Sequence, residues 1–266
     1  MRLLDEWAYR GNHSWYDQQL RTLAVNELPA EKWSYAGKND YGILRNYISY
    51  TFQKLSEEHS QAESDSKKDY IYEDEKQACF NTGLFDKNWQ QIYFYCIPNN
   101  RIQPWKFKAF YNSYTIKFTG IPANAVNKLR RPNYFSDPQL LVFDVNLPIT
   151  PQWNHIIDDS ENFIRIPKII RDIGVDVCRS VIDGEINRAK KRIEANYKTA
   201  VPQWYRGRIQ LLAPLYLTNK DIPDLALALS LSDDRSQYYG HTCLTMEMAY
   251  NNARLIARPE SFWLQP

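Results

Sequence analysis

Cations, rings and amides crowd residues 196–215, NYKTAVPQWYRGRIQLLAPL, where Lys198, Arg206 and Arg208 stand among Tyr197, Trp204 and Tyr205, with Gln203 and Gln210 between them. Arg and Lys suit phosphate oxygens, a planar ring suits a base, and an amide can read a base edge. The combination points to a nucleotide or single-stranded RNA. The competing reading is that Arg206 and Arg208 flank a turn at Gly207, stay solvated, and Trp204 only packs. A second group, AYNNARLIARP at 249–259, places Asn251, Asn252 and Arg254 within one helical turn, with Arg258 one turn later. Adjacent asparagines are poor helix formers, so they indicate either a polar site or a buried hydrogen-bond network. A third group, Asn81, Thr82 and Gly83, is expected between two strands, where Gly83 permits a tight turn. Such a turn can hold an anion on its backbone N–H groups, or serve as plain hairpin chemistry.

For catalysis the candidates are histidines and carboxylates. His155, in PQWNHIIDDSENF, would share a helical face with Asp158 or Asp159, which could orient the imidazole for work as a general base. His241 follows Gly240 at a strand edge. Two histidines can run acid and base chemistry on a ribose 2′-hydroxyl if the fold brings them together; a lone histidine is more often a structural one. Asp144, Asp158, Asp159 and Glu161 could be recruited by a divalent metal, but no ligand spacing is diagnostic and no metal ligands are assigned. The phosphate-loop, dinucleotide, nucleophile-elbow and zinc-helix templates are all absent from the sequence.

These residues have to be positioned by mixed elements. Asp40 can cap a helix through Ile43, Leu44, Tyr47, Ile48, Phe52 and Leu55, which ends in the polar stretch EEHSQAESDSKKD. KQACFNTGL, WQQIYFYCIP, PWKFKAFY and YTIKFTGIP read as a meander of antiparallel strands, and LLVFDVNLPI at 140–149 as a further strand. Val177, Val181, Ile186, Ala189 and Ile193 form one face of a helix that leads into the first stretch, expected as a loop feeding a core strand. GRIQLLAPLYL and LALALSLS, separated by TNKDIPD, read as adjacent antiparallel strands; YYGHTCL is a last strand and Thr245 starts a last helix. The strand alternation puts Arg208 and Gln210 on one face, Ile209 and Leu211 on the other. No internal repeat or long linker is visible, so residues 1–266 are read as a single α+β domain, a largely antiparallel, aromatic-rich sheet packed with amphipathic helices.

Composition bounds the partner class. With 14% aromatic residues, including 19 Tyr and 8 Trp, rings are abundant, yet a net charge of +2 supplies no global field for a polyanion. Any basic site is local. No apolar run reaches the roughly 20 residues of a membrane span, and MRLLDEWAYRG carries acids where a signal peptide would be apolar, so a cytoplasmic protein with no membrane partner is expected. Cys79, Cys96, Cys178 and Cys243 lie far apart, as buried thiols in a reducing compartment would.

ACFNTGL, QPWKFKAF, NYFSDPQLLVFDVNLPI, AKKRIEANYKTAVPQWYRGRIQLLAPLYLTN and HTCLTMEMAYNNARLIARP together resemble domain of unknown function (DUF) family 3825. The resemblance covers about residues 33–266 and leaves 1–32 as an N-terminal extension. Members look like intracellular proteins, sometimes fused to cold-shock or LOTUS-type RNA-binding modules, which implies RNA metabolism but carries over no reaction and no catalytic residues. The expectation is therefore an RNA- or nucleotide-binding domain with Asn81, Thr82, Lys198, Arg206, Arg208, Gln210, Asn251, Asn252 and Arg254 as ligand-binding residues. His155 and Asp158 would assist hydrolysis of a phosphoester bond, as in a nuclease. The alternatives are a non-catalytic RNA-binding module and an enzyme acting on a small nucleotide-like metabolite.

Overall fold

Alternation along successive strands throws Phe80, Phe94 and Phe107 onto one face of a sheet, and such a face has to be covered. A computed structural model describes residues 2–35 and 38–266, and the chain divides into two compact units, Met1–Asn133 and Tyr134–Pro266. The first unit runs α1 (Leu4–Trp7), β1 (Ala8–Tyr9), α2 (His13–Thr22), α3 (Gly42–Gln61), β2 (Ile71–Glu73), β3 (Ala78–Phe85), β4 (Gln91–Pro98), β5 (Trp105–Asn112) and α4 (Ala123–Lys128). Its strands order β1-β5-β4-β3-β2, all antiparallel except that β1 lies parallel to β5.

Helix α3 starts where Asp40 Oδ1 accepts the Gly42 N–H and lays Phe52 on the phenylalanine face. There Phe94 stacks on Phe80 at 5.0 Å between ring centroids and meets Phe107 at 4.3 Å. The opposite face carries Cys79, Tyr93 and Tyr95 under Ile116, Ile121, Val126 and Leu129. Both faces of this sheet are thus closed by side chains.

One carboxylate ties the unit's first helix to its sheet. Glu73 Oε1 accepts from Trp7 Nε1 at 2.6 Å, from Trp105 Nε1 at 3.0 Å and from Arg2 at 3.2 Å. Burial pushes the Glu73 pKa up, but the Trp7 and Arg2 hydrogen bonds, the Arg2 charge and Trp105 outweigh it, so the group ionises below its ordinary 4.5. A carboxyl depressed in the fold stabilises above its unfolded pKa, and that contribution disappears as pH falls through the folded value. Glu73→Gln should therefore lower Tm at pH 7, with the gap to wild type closing as both are melted at pH values stepped downward from 4.5. A gap that persists at acid pH would show that the carboxylate charge is not what matters.

The second unit runs β6 (Ile149–Pro151), α5 (Trp153–Ile156), α6 (Ser160–Phe163), α7 (Lys168–Arg171), α8 (Val175–Ala195), β7 (Val201–Tyr205), β8 (Arg208–Leu215), β9 (Leu225–Leu231), β10 (Tyr238–Leu244) and α9 (Met246–Ile256). Its strands order β6-β10-β9-β8-β7, again antiparallel except for a short first strand lying parallel to the last. The two sheets thus share one topology, a repetition that no sequence similarity announces. Helix α8 turns Cys178, Ile182, Ile186, Ala189 and Ile193 onto Leu211, Ala213, Leu215, Leu225, Leu227 and Leu229. In β9 the leucines face α8, and Ala226, Ala228 and Ser230 face the other way, toward the side on which α9 packs.

The chain is α+β with two mostly antiparallel sheets. Several local expectations are corrected. YTIKFTGIP forms a 3₁₀ turn, Thr115–Thr119, closed by Gly120 at φ 90°, and is not a strand. LLVFDVNLPI is not a strand either, apart from Ile149, which opens β6: Asp137 caps a 3₁₀ turn at Pro138–Leu141 and Asp144 Oδ1 accepts the Asn146 N–H, so local side-chain bonds take the backbone out of a ladder. Asn81-Thr82-Gly83 lies inside β3, at a register shift between Asn81 and Phe85, with Gly83 at φ 76°. VPQWY, expected as loop, is strand β7, and Arg206 (φ 46°) with Gly207 (φ 83°) makes a two-residue hairpin turn of the type that needs positive φ at both positions.

Candidate two-histidine site

Strand β10 carries one residue too many. Gly240 pairs with Leu229 and Thr242 with Ala228, so His241 between them has no partner and forms a β-bulge. Bulges bend a strand and re-aim a side chain. Beside the bulge, Gly240 leaves room for Leu227, whose side chain a Cβ at that position would approach to 3.3 Å.

The bulged His241 is fixed by the segment after β6. Gln152 N donates to Gly240 O at 2.8 Å, Gln152 O accepts from His155 N at 2.9 Å, and Gln152 Oε1 lies 2.9 Å from His241 Nδ1. An amide oxygen can only accept, so Nδ1 carries the hydrogen and Nε2 keeps a bare lone pair. Burial lowers the His241 pKa below its ordinary 6.5, and the charges of His155 and Arg208 lower it further. The groups behind those two contributions sit on α5 and β8. A long-range ¹H–¹⁵N spectrum should show His241 protonated on Nδ1, and Gln152→Met should populate the other tautomer; Nε2–H in the unaltered protein would contradict this assignment.

Beside the histidine runs a row of polar side chains. Asn252 Nδ2 donates to Gln203 Oε1 at 3.2 Å, Gln203 Nε2 to Gln210 Oε1 at 2.8 Å, and Gln210 Nε2 to Ser230 Oγ at 2.9 Å. Ser230 stands opposite Tyr239, and Tyr239 opposite Thr150, so β7, β8, β9, β10 and β6 each contribute one member to the same register row. The row is wholly buried at Gln203, under α9, and exposed at Thr150. It opens toward the edge that holds His241 and His155.

The other expected residues fall as follows. Arg208 is exposed, 4.0 Å from Asp233. Arg206, at the hairpin tip, lies over the Tyr205 ring at 5.3 Å. Asn252 and Gln210 join one network through Gln203, Asn251 Oδ1 is buried with no hydrogen-bond partner among the described residues, and Arg254 is buried in α9. Lys198 lines an open cleft of about 390 Å³ with Tyr197, Pro202, Ala253 and Arg258. Asp158 lies beyond the end of α5, 3.9 Å from Arg179. Asn81 and Thr82 belong to the first unit, fully buried: Asn81 binds Gln91, Leu129 O and Gly83 N, and Thr82 binds Ile92 O and Leu84 N. Gln152 and Tyr239 were not among the candidates, Gln203 was noted as an amide that could read a base edge, and His241 as a histidine at a strand edge that could pair with His155 if the fold brought the two together.

Among the described residues no group of three His, Cys, Asp or Glu side chains is arranged to hold a metal ion, and no helix is long and apolar enough to cross a membrane. What the arrangement offers is proton transfer: a neutral imidazole with a free Nε2, a second imidazole, and a cation able to offset charge on a nearby anion. Comparison with curated proteins and with solved structures gives no match. A family model does match, beginning at residue 21, earlier than the expected 33, and running through both units to residue 263. The chain belongs to that family, described as domain of unknown function (DUF3825).

Proposed function

We propose that this protein binds RNA or a nucleotide on the open side of its second sheet and acts there on a phosphoester bond. The observation that carries this reading is the bulge at His241, whose ring nitrogen Nδ1 is held by Gln152 next to the segment that leads to His155. His241 serves as general base, His155 as its partner in proton transfer, and Arg208 holds the phosphate. The polar row from Gln210 to Tyr239 offers hydrogen bonds to bases or sugars. A cytoplasmic setting goes with the reading, supported by four buried cysteines whose thiol pKa values burial pushes up.

The test is to incubate the full chain with end-labelled single-stranded RNA, with EDTA or with Mg²⁺, and to follow binding and fragment length. Cleavage and a Kd that weakens with salt are expected, with Arg208→Ala weakening binding by roughly tenfold, as loss of one phosphate contact would. Binding without cleavage would favour a non-catalytic module, for which Tyr205, exposed at the hairpin tip, offers a ring for stacking. Neither binding nor cleavage would remove both.

A further inference from the structure

We propose that the cleft between the 3₁₀ turn Tyr197–Thr199 and the chain's last segment binds a ribonucleoside monophosphate, either free or as one unit of an RNA strand. Its volume of about 390 Å³ lies in the range of small-molecule sites. The cleft lies against β7, an edge strand of the second sheet, three strand spacings or about 14 Å from β10. The inference therefore goes beyond the phosphoester reading and does not use the histidines.

The sequence builds the cleft from two segments far apart in the chain. At the end of α8, Asn196 Oδ1 accepts the Lys198 N–H at 3.1 Å, and the tight turn that follows exposes Tyr197 and Lys198 while burying Thr199. The segment after α9 is strapped back over that turn: Trp263 Nε1 donates to Thr199 O at 2.9 Å, and Ser261 Oγ donates to Lys198 O. Between turn and strap, the walls carry Ala200, Ala253 and Ala257, whose single methyl groups leave the space unfilled. Apolar walls of this kind favour a flat ring over water.

The other lining residues each match one part of a ribonucleotide. Tyr197 is 61% exposed and offers a face on which a base can stack. Lys198 from the turn and Arg258 from the strap supply positive charge for the phosphate. Glu260, also on the strap, is a carboxylate able to accept from ribose hydroxyls, the pairing by which an acidic side chain recognises a ribose. An acidic peptide would meet the two cations but also the Glu260 charge, and a bare phosphate would leave the ring and the apolar walls without a partner.

The experiment titrates the full chain with AMP, dAMP, adenosine and inorganic phosphate by calorimetry. AMP is expected to bind about tenfold or more tightly than adenosine or phosphate, since only AMP meets ring and cations together. Tyr197→Ala and Lys198→Ala should each weaken AMP by about tenfold, as loss of a stacking face or of a charged hydrogen bond would. Ala257→Phe, at an exposed and extended position, should fill the cleft and abolish binding while the unliganded Tm holds. Glu260→Gln should narrow the preference for AMP over dAMP. Lys220→Ala, which removes the same charge from the exposed turn between β8 and β9, should change nothing. A ribotetranucleotide that binds more tightly than AMP and loses as much in Lys198→Ala identifies an RNA strand as the source, and one that binds more weakly identifies the free nucleotide. AMP affinity no better than that of adenosine or phosphate, or unaltered by Ala257→Phe, overturns the inference, as does an acidic peptide that binds where AMP does not. RNA fragmentation, which tests the phosphoester reading, is untouched by any of these results.

Discussion

His241→Ala is expected to slow RNA cleavage by about 10²- to 10⁴-fold, the usual contribution of a positioned acid or base. The variant should fold, because His241 is a half-buried bulge residue that takes no place in the β9–β10 ladder. Its removal strands only the Gln152 Oε1 acceptor, at a site close enough to solvent for water to replace the lost donor. The loss should therefore fall on the chemical step, with Kd for RNA measured under non-cleaving conditions changed by less than a few-fold. His155→Ala should give a loss of similar order, and the double variant little more than either alone, since the two act in one step. Rates that multiply in the double variant would mean that the two histidines serve separate events, and an unimpaired His241→Ala would place the base elsewhere.

Phe94→Ala should cost the first unit about 3–5 kcal/mol, the range for truncating a fully buried aromatic. Phe94 is fully buried, stacked on Phe80 and in contact with Phe107 at 4.3 Å and Phe110 at 5.7 Å, so the cavity opens where four strand-borne rings meet. Phe80, Phe107 and Phe110 are fixed on β3 and β5 and cannot slide inward without moving their strands. Urea unfolding followed by tyrosine and tryptophan fluorescence would measure the loss, and Phe94→Leu, which keeps most of the volume, should cost clearly less. Equal costs for the two variants would mean that ring stacking, not volume, dominates the site.

Much of the strand and helix content was legible because apolar periodicity is a local signal. LALALSL and the apolar recurrence ending at Ile186, Ala189 and Ile193 declare β9 and α8 without help, although Val177, expected on the helix's apolar face, is exposed and Cys178 and Ile182 are buried there instead; Phe94 and Phe107 are in period with the sheet they occupy. LLVFDVNLPI has the composition of a strand, but Asp137 and Asp144 offer the backbone short-range partners, and such competition is invisible to periodicity. Asn81 and Thr82 read as a polar turn and turned out to spend their hydrogen bonds inside β3, because a bulge consumes the same residue types as a hairpin. At the site, Gln210 and Asn252 were readable as amides with a purpose, but their link runs through Gln203 on a neighbouring strand. His241 was visible as a histidine at a strand edge, but its bulge needed the register, and Gln152 had no signal of its own.

The parallel pairing of β6 with β10 has a kinetic side. Gln152 and His241 are 89 positions apart in the chain, whereas β7 to β10 follow one another through short connections. Closing a loop of that length costs entropy before any contact rewards it, so the meander can assemble while β6 is still loose. β6 contributes three residues to its ladder and sits at the sheet's edge. The Gln152–His241 contact is therefore expected to form late in folding and to be among the first undone by a local opening, while β8 and β9 stay protected. Amide exchange at Tyr238 and Gln152, whose N–H groups bond Pro148 O and Gly240 O, would outpace that of Leu227 and report the fraction of molecules with the site disassembled.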